Sequence, residues 1–167
     1  MEMVDEINEA NEVISHVSKD EAHTKGLLHR CVIAEVINSK GEWLLVKQSA
    51  TRQDAGQFVS PVGGHVQAGE SQDHALVRET MEELSIIPTS YKYIGSKIFN
   101  RVTRGKQENH FFILYKINSD DVPVLNDESD SFEYFSEERI QNIYQTRAKT
   151  FGEAFIFILQ SFYPHLL

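Results

Sequence analysis

Residues 63–86 read GGHVQAGESQDHALVRETMEELSI, and this stretch decides the fold. It opens on a turn-rich segment, GGHVQAGE, with three glycines. A helix is predicted over Ser71–Leu84. Ser71 suits an N-cap, and Asp73 puts a negative charge in the first turn, where the helix dipole favours it. Ala75, Leu76, Thr80 and Leu84 recur at helical spacing as one inward stripe. Glu79, Glu82 and Glu83 lie three and four residues apart, so they share a face beside Arg78. Like charges crowded this way repel. A glycine-bent loop folded over the helix would aim backbone carbonyls at the same point, and a hard cation such as Mg²⁺ takes that oxygen-only set. The repulsion then marks a site built for a cation rather than a solvated acidic face.

Outward from this stretch, strands dominate. His29–Ile37 and Glu42–Gln48 flank the turn NSKG and read as a hairpin. Gln57–Val62 reads as a short strand. Tyr91–Val102 and Glu108–Ile117 flank TRGKQ as a second hairpin, and Ser131–Phe135 is a further strand. Ser136 opens a helix with Glu137 and Glu138 in its first turn. Phe151–Tyr163, within a C-terminal segment 150–167, reads as a packed terminal helix. Residues 1–26 lack a strand pattern and read as a helical or irregular arm, with Ser18 as an N-cap before Lys19–Thr24. The fold class is α+β: one domain over 1–167, a central mixed β-sheet with helices on its faces.

Composition bounds the function. A chain of 167 residues with 41% hydrophobic and 25% charged residues suits one soluble domain. A net charge of −9 argues against non-specific nucleic-acid binding. It permits an acidic substrate if divalent cations lie between the two. No apolar run is long enough to cross a bilayer, and MEMVDEINEA does not read as a secretory signal. Cys31 is the single cysteine, which excludes an intrachain disulfide and favours a reducing, cytoplasmic setting.

The stretch resembles the signature of the Nudix hydrolases, G-x(5)-E-x(7)-R-E-U-x-E-E-x-G-U, with U apolar. Gly64, Glu70, Arg78, Glu79, Glu82 and Glu83 all match. Thr80 stands where an apolar residue is usual, and Ser85 stands where the signature has glycine. The resemblance implies the α/β/α sandwich of that family and a metal-dependent pyrophosphatase activity. The substrate would be a nucleoside-diphosphate-X compound or another organic diphosphate. Glu79, Glu82 and Glu83 would hold Mg²⁺ or Mn²⁺ with the Gly63 carbonyl, and Glu79 would orient or deprotonate water. Arg78 would pair with Glu70. A further acid often comes from a later loop, and Glu128 is the candidate, with Asp127 and Asp130 nearby. Lys47 and Arg52 are candidates to hold the diphosphate. Phe58, Phe99 and Tyr134 are candidates to stack on a base. Many relatives form homodimers.

A second resemblance covers EAHTKGLLHRCVIAEVINSKGEWLLVKQSAT and GGHVQAGES. These resemble the branch that includes isopentenyl-diphosphate isomerase, where one metal sits among three histidines and two glutamates. By position those ligands fall on His23, His29, His65, Glu108 and His110, implying a second divalent ion, with Zn²⁺ or Mn²⁺ favoured over Mg²⁺. The isomerases place a cysteine where this chain has Gly63, and they relax the Glu82–Glu83 pair kept here, so hydrolysis is the leading expectation. An isomerase-like enzyme and a non-catalytic sensor of a nucleotide-like ligand are the alternatives.

Overall fold

The strand His29–Ile37 (β3) is the hub of the fold. A computed structural model describes all 167 residues and places nine strands in one sheet. Before the hub come β1 (Met3–Ile7), β2 (Val13–Ser18) and the helix α1 (Lys19–Lys25). After it come β4 (Trp43–Gln48), β5 (Phe58–Val59), β6 (Val62–His65) and α2 (Gln72–Leu84). The chain then forms β7 (Tyr91–Thr103), β8 (Lys106–Asn118), β9 (Ser129–Phe135), α3 (Glu137–Arg147) and α4 (Glu153–Phe162). Along one edge β3 runs parallel to β8, from His29 beside His110 to Ile37 beside Asn118. Three antiparallel strands share its other edge: β1 meets His29, β6 meets Cys31–Ala34, and β4 meets Val36 and Ile37. The sheet is therefore mixed.

Alternation along β3 sorts two cores. Val32, Ala34 and Val36 point to one face, where Ala75, Leu76 and Leu84 of α2 cover them. Cys31, Ile33 and Ile37 point to the other face, where α3 and α4 pack through Ile140, Ile143, Phe155, Ile158 and Leu159. This is the expected α/β/α sandwich. Thr80 completes the inward stripe of α2 because its hydroxyl donates to the Leu76 carbonyl at 2.7 Å, which removes the penalty of burying it. Ser85 caps α2 in the left-handed region, at φ 55°, the conformation a glycine would take more easily. No helix is long and apolar enough to cross a membrane.

Three expectations change. Residues 1–26 are not a helical or irregular arm: β1 and β2 form a hairpin, and only Lys19–Lys25 is helical, capped by Ser18 as expected. The hairpin is hard to read because it buries few apolar residues, Val4, Ile7 and Val17, and its other faces are polar. Its turn is built by Asn8, whose side chain accepts from the Ala10 and Glu12 backbones at 3.0 Å, and by Asn11 at φ 63°. Second, Gly63, Gly64 and His65 belong to a strand, β6, and not to a loop. Third, the β7–β8 turn is only Arg104–Gly105, both left-handed at φ 49° and 74°, so the strands run on to Thr103 and Lys106.

Candidate active site

Strand β6 lies against α2, and three consecutive residues each meet one charged side chain of the helix. The Gly63 N–H donates to Glu83 Oε2 at 2.9 Å. Gly64 leaves room for the Glu79 carboxylate: a Cβ there would sit 2.1 Å from its carboxyl carbon. The His65 carbonyl accepts from Arg78 at 2.9 Å. Arg78 also reaches Glu70 through two nitrogens, at 2.8 and 2.9 Å, and Glu79 at 2.6 Å. One guanidinium thus ties the turn after β6 and the strand itself to the helix. Glu128, from the turn that leads into β9, lies within hydrogen-bonding reach of Glu83 and 3.5 Å from Arg52.

Above these groups opens a cleft of about 400 Å³ whose walls include Glu79, Glu82, Glu128, Arg52, Gly63 and Gly64. His23 and His65 also line it, and with His29 and His110 they form a group whose ligand atoms all lie within 4.8 Å of one another. They come from α1, β3, β6 and β8. Parallel pairing sets His29 beside His110, and β6 delivers His65 opposite Cys31. His23 Nε2 approaches His110 Nε2 at 3.4 Å and His65 Nε2 at 3.3 Å. The Nδ1–H of His29 donates to the Leu27 carbonyl at 2.7 Å, which leaves Nε2 as the bare lone pair. That Nε2 is buried and has no partner.

The family model described as NUDIX domain matches residues 27–154. The chain belongs to the Nudix family. An uncharacterized Nudix hydrolase of Nostoc sp. is 30% identical over 138 residues, covering 81% of this chain and 79% of that protein. An isopentenyl-diphosphate Delta-isomerase of Pectobacterium atrosepticum is 29% identical over 136 residues, covering 80% of this chain and 76% of that protein. A crystal structure of a Deinococcus radiodurans protein matches with TM-score 0.79 and 23% identity, covering 97% of this chain and 99% of that one. That last likeness shows the fold alone. The chain is an enzyme of the Nudix hydrolase class. Diphosphate hydrolysis is general in that class, and its enzymes generally use divalent metal ions.

The Nudix residues of this chain fit such an ion. Burial raises the Glu79 carboxyl to about 7, against the pull of Arg78 and with the push of Glu82 and Glu128. Burial and the neighbouring Glu128 push Glu83 well above the usual carboxylate range. Arg78 is shared between Glu79 and Glu70, and Glu83 accepts from the Gly63 N–H without a basic side chain beside it, so a cation would supply charge that these carboxylates lack. Glu70 is the opposite case. Burial alone would raise it, yet Arg78, the Gln67 N–H and His74 hold it at about 2. The histidines are neutral donors: burial lowers His29 to about 4, against the pull of its bond to Leu27. Burial also drives His65 and His110 well below their ordinary value and lowers His23.

Most of the residues singled out in the sequence converge, and some do not. Glu79, Glu82, Glu83, Arg78, Glu128, Arg52 and Gly63 meet around the cleft, while Asp127 and Asp130 do not line it. Lys47 does not reach the cleft either. Alternation along β4 turns its side chain away from the face that Val46 and Gln48 present to the cavity beside it. Glu108 is not a member of the histidine group, because Arg101 takes its carboxylate at 2.6 Å. Arg101 also grips Asp54 at 2.9 Å, clamping the loop that carries Arg52. None of Phe58, Phe99 and Tyr134 lines the cleft. Glu2, Lys19, Gln53, Gln67 and Lys106 line it unanticipated. Glu2 and Lys19 were hidden with the N-terminal hairpin, and the short β7–β8 turn, signalled by Arg-Gly, is what places Lys106.

Proposed function

We propose that this protein hydrolyses the diphosphate linkage of an organic diphosphate, with Mg²⁺ or Mn²⁺ held by Glu79, Glu82, Glu83 and the Gly63 carbonyl. The observation that carries this reading is the convergence of Glu79 and Glu82 on one polar cleft, with Glu83 lining the cavity that shares Gly63 and Glu128 with it. The ion, when bound, neutralises phosphate oxygens and lowers the pKa of water. The chain's own groups do the rest. Glu79 accepts the proton of the attacking water as its oxygen bonds to phosphorus, and the bridging P–O bond breaks to release a phosphate or phosphomonoester. Arg78 holds Glu79 in place, and Gly64 leaves space for it. Arg52 offers its charge to the diphosphate across the cleft. Residues 1–167 act together in this reading, since α1 and the segment before it supply Lys19, His23 and Glu2.

The histidine group belongs to the same proposal as the site of a second divalent ion. Four neutral imidazole nitrogens and no carboxylate favour a borderline ion such as Zn²⁺ over Mg²⁺. An isomerase role finds less support. Gly63 offers no side chain for proton transfer to carbon, and the cleft offers no apolar wall. The test is a panel of organic diphosphates with Mg²⁺, Mn²⁺ and Zn²⁺, scored for released phosphate and phosphomonoester. Glu82→Gln is expected to lose most turnover while keeping its circular dichroism and melting temperature. An unchanged rate in that variant removes the proposed site.

A further inference from the structure

The walls of the cleft carry information that hydrolysis alone does not use. Fourteen residues line it, and none is hydrophobic. The aromatic side chains that the sequence offered to a base are engaged elsewhere. Phe58 packs on Phe135 at 5.1 Å, Phe99 stacks on Phe112 at 5.0 Å, and Tyr134 meets Phe132 at 6.0 Å between ring centres. A nucleobase is held by a π face or an apolar wall. A prenyl chain needs apolar surface, worth about 25 cal/mol per Å². In this cleft either group would strip water from carboxylates, amides and ammonium groups without replacing it. Two adjoining cavities carry some apolar wall: one of about 120 Å³ has Ile33, Val59 and Phe155, and one of about 140 Å³ has Cys31, Ile33 and Phe112. The first is also lined by Asp54, Glu83 and Arg101 and the second by Arg52, Arg101 and Glu108, so a hydrocarbon in either would meet fixed charge.

Three of the four lysine and arginine side chains that line the cleft are already paired. Arg78 is committed to Glu70 and Glu79, Lys19 holds Glu2 at 2.9 Å, and Arg52 faces Glu128 at 3.5 Å. Lys106 also lines the cleft and forms no ion pair. Its position is built. The turn before it is clipped to the Arg52 loop by Arg104, which donates to the Thr51 and Ala50 carbonyls at 2.9 and 3.1 Å. The next residue, Gln107, donates to the Thr24 carbonyl of α1 at 2.9 Å. These contacts fix the backbone on either side of Lys106, and its exposed, unpaired ammonium is a point charge open to an anion.

We infer that the substrate is the diphosphate of a small hydrophilic group that bears a further phosphate, as a sugar phosphate does, and that Lys106 grips that phosphate. The inference rests on the hydrolase reading above and narrows it. Neither an aromatic base nor a prenyl chain is part of the substrate.

The test compares three probes in Mg²⁺: 5-phosphoribosyl 1-diphosphate, ADP-ribose and dimethylallyl diphosphate. Turnover and calorimetric binding are both measured. The phosphorylated sugar is expected to lead the other two by at least about tenfold in kcat/KM and in affinity. Lys106→Gln should raise its KM about tenfold more than that of ADP-ribose, acting on KM more than on kcat, and Lys106→Arg should restore part of the loss. Preference for ADP-ribose or dimethylallyl diphosphate, or an equal effect of Lys106→Gln on every probe, overturns the inference. Selective binding of the phosphorylated sugar without turnover of any probe upholds it and removes the hydrolase reading instead.

Discussion

A Cβ on Gly64 would lie 2.1 Å from the carboxyl carbon of Glu79 and 2.3 Å from its Oε1. The strand and the helix are therefore closer at this point than any side chain permits, and Glu79 occupies the space. Gly64→Ala must push the carboxylate off its position or part β6 from α2. Overpacking of this kind destabilises by about 1–3 kcal/mol, and a displacement near 1 Å at a reacting group costs roughly a hundredfold in rate. The expected result is a folded variant with turnover down about a hundredfold or more. Wild-type rates in Gly64→Ala would show that Glu79 is not where the reaction happens.

The pair Glu70–Arg78 contributes stability that is lost in acid. Glu70 titrates near 2 in the folded protein, against an ordinary value of 4.5. A depressed carboxylate contributes stability that is fully present above the ordinary value and is lost as pH falls toward the folded one. Glu70→Gln should lower stability at pH 7 by about 2 kcal/mol, the scale of charge-assisted hydrogen bonds. The gap between wild type and variant should close as pH drops from 4.5 toward 2. Urea unfolding at a series of pH values reads this, and a gap independent of pH would refute it.

How far the sequence was legible depends on whether the signal was local. The spacing of Glu79, Glu82 and Glu83, the cap at Ser71 and the stripe through Leu76 and Leu84 are properties of one helix, and all are visible in sequence order. The histidines are scattered over 88 residues' worth of chain, and only pairing of β3 with β8 and β6 brings His29, His65 and His110 together. Resemblance named them, but it also named Glu108, because nothing local reveals that Arg101 takes that carboxylate. The β1–β2 hairpin escaped notice for a physical reason. With Asp5 buried and Ile14 exposed, its alternation does not follow hydrophobicity. Lys47 was misplaced because membership of a strand says nothing about which face meets the cleft.

The histidine group predicts its own metal selectivity. Co²⁺ added to metal-free protein should produce a visible absorption band that saturates at one equivalent, and Zn²⁺ should abolish it. Zn²⁺ should also raise the melting temperature, since an ion held by residues from α1, β3, β6 and β8 cross-links the N-terminal segment to the sheet. Mg²⁺ should do neither. His29→Ala removes the one ligand whose Nε2 is already freed by the Leu27 carbonyl. A band that persists unchanged in His29→Ala would place the ion elsewhere.

Glu35 makes stability fall as pH rises. It lies on β3 between Ile33 and Ile37, fully buried, with Ser60 donating to Oε1 and no partner at Oε2. Trp43 Nε1 and the Tyr163 hydroxyl are also buried without partners. Burial raises the Glu35 carboxyl to about 8, despite the bond from Ser60, so near neutrality it is a neutral acid in the folded protein and an anion in the unfolded chain. A raised folded value contributes stability that is complete below the ordinary 4.5 and is lost as pH rises through about 8. Glu35→Gln keeps an oxygen for Ser60 and carries no charge at any pH. Its melting temperature relative to wild type should therefore climb steadily between pH 5 and pH 8, a window spanning roughly those two values. If instead the two proteins track each other across that range, the carboxyl is ionised in the fold and a cationic or donor partner must reach Oε2.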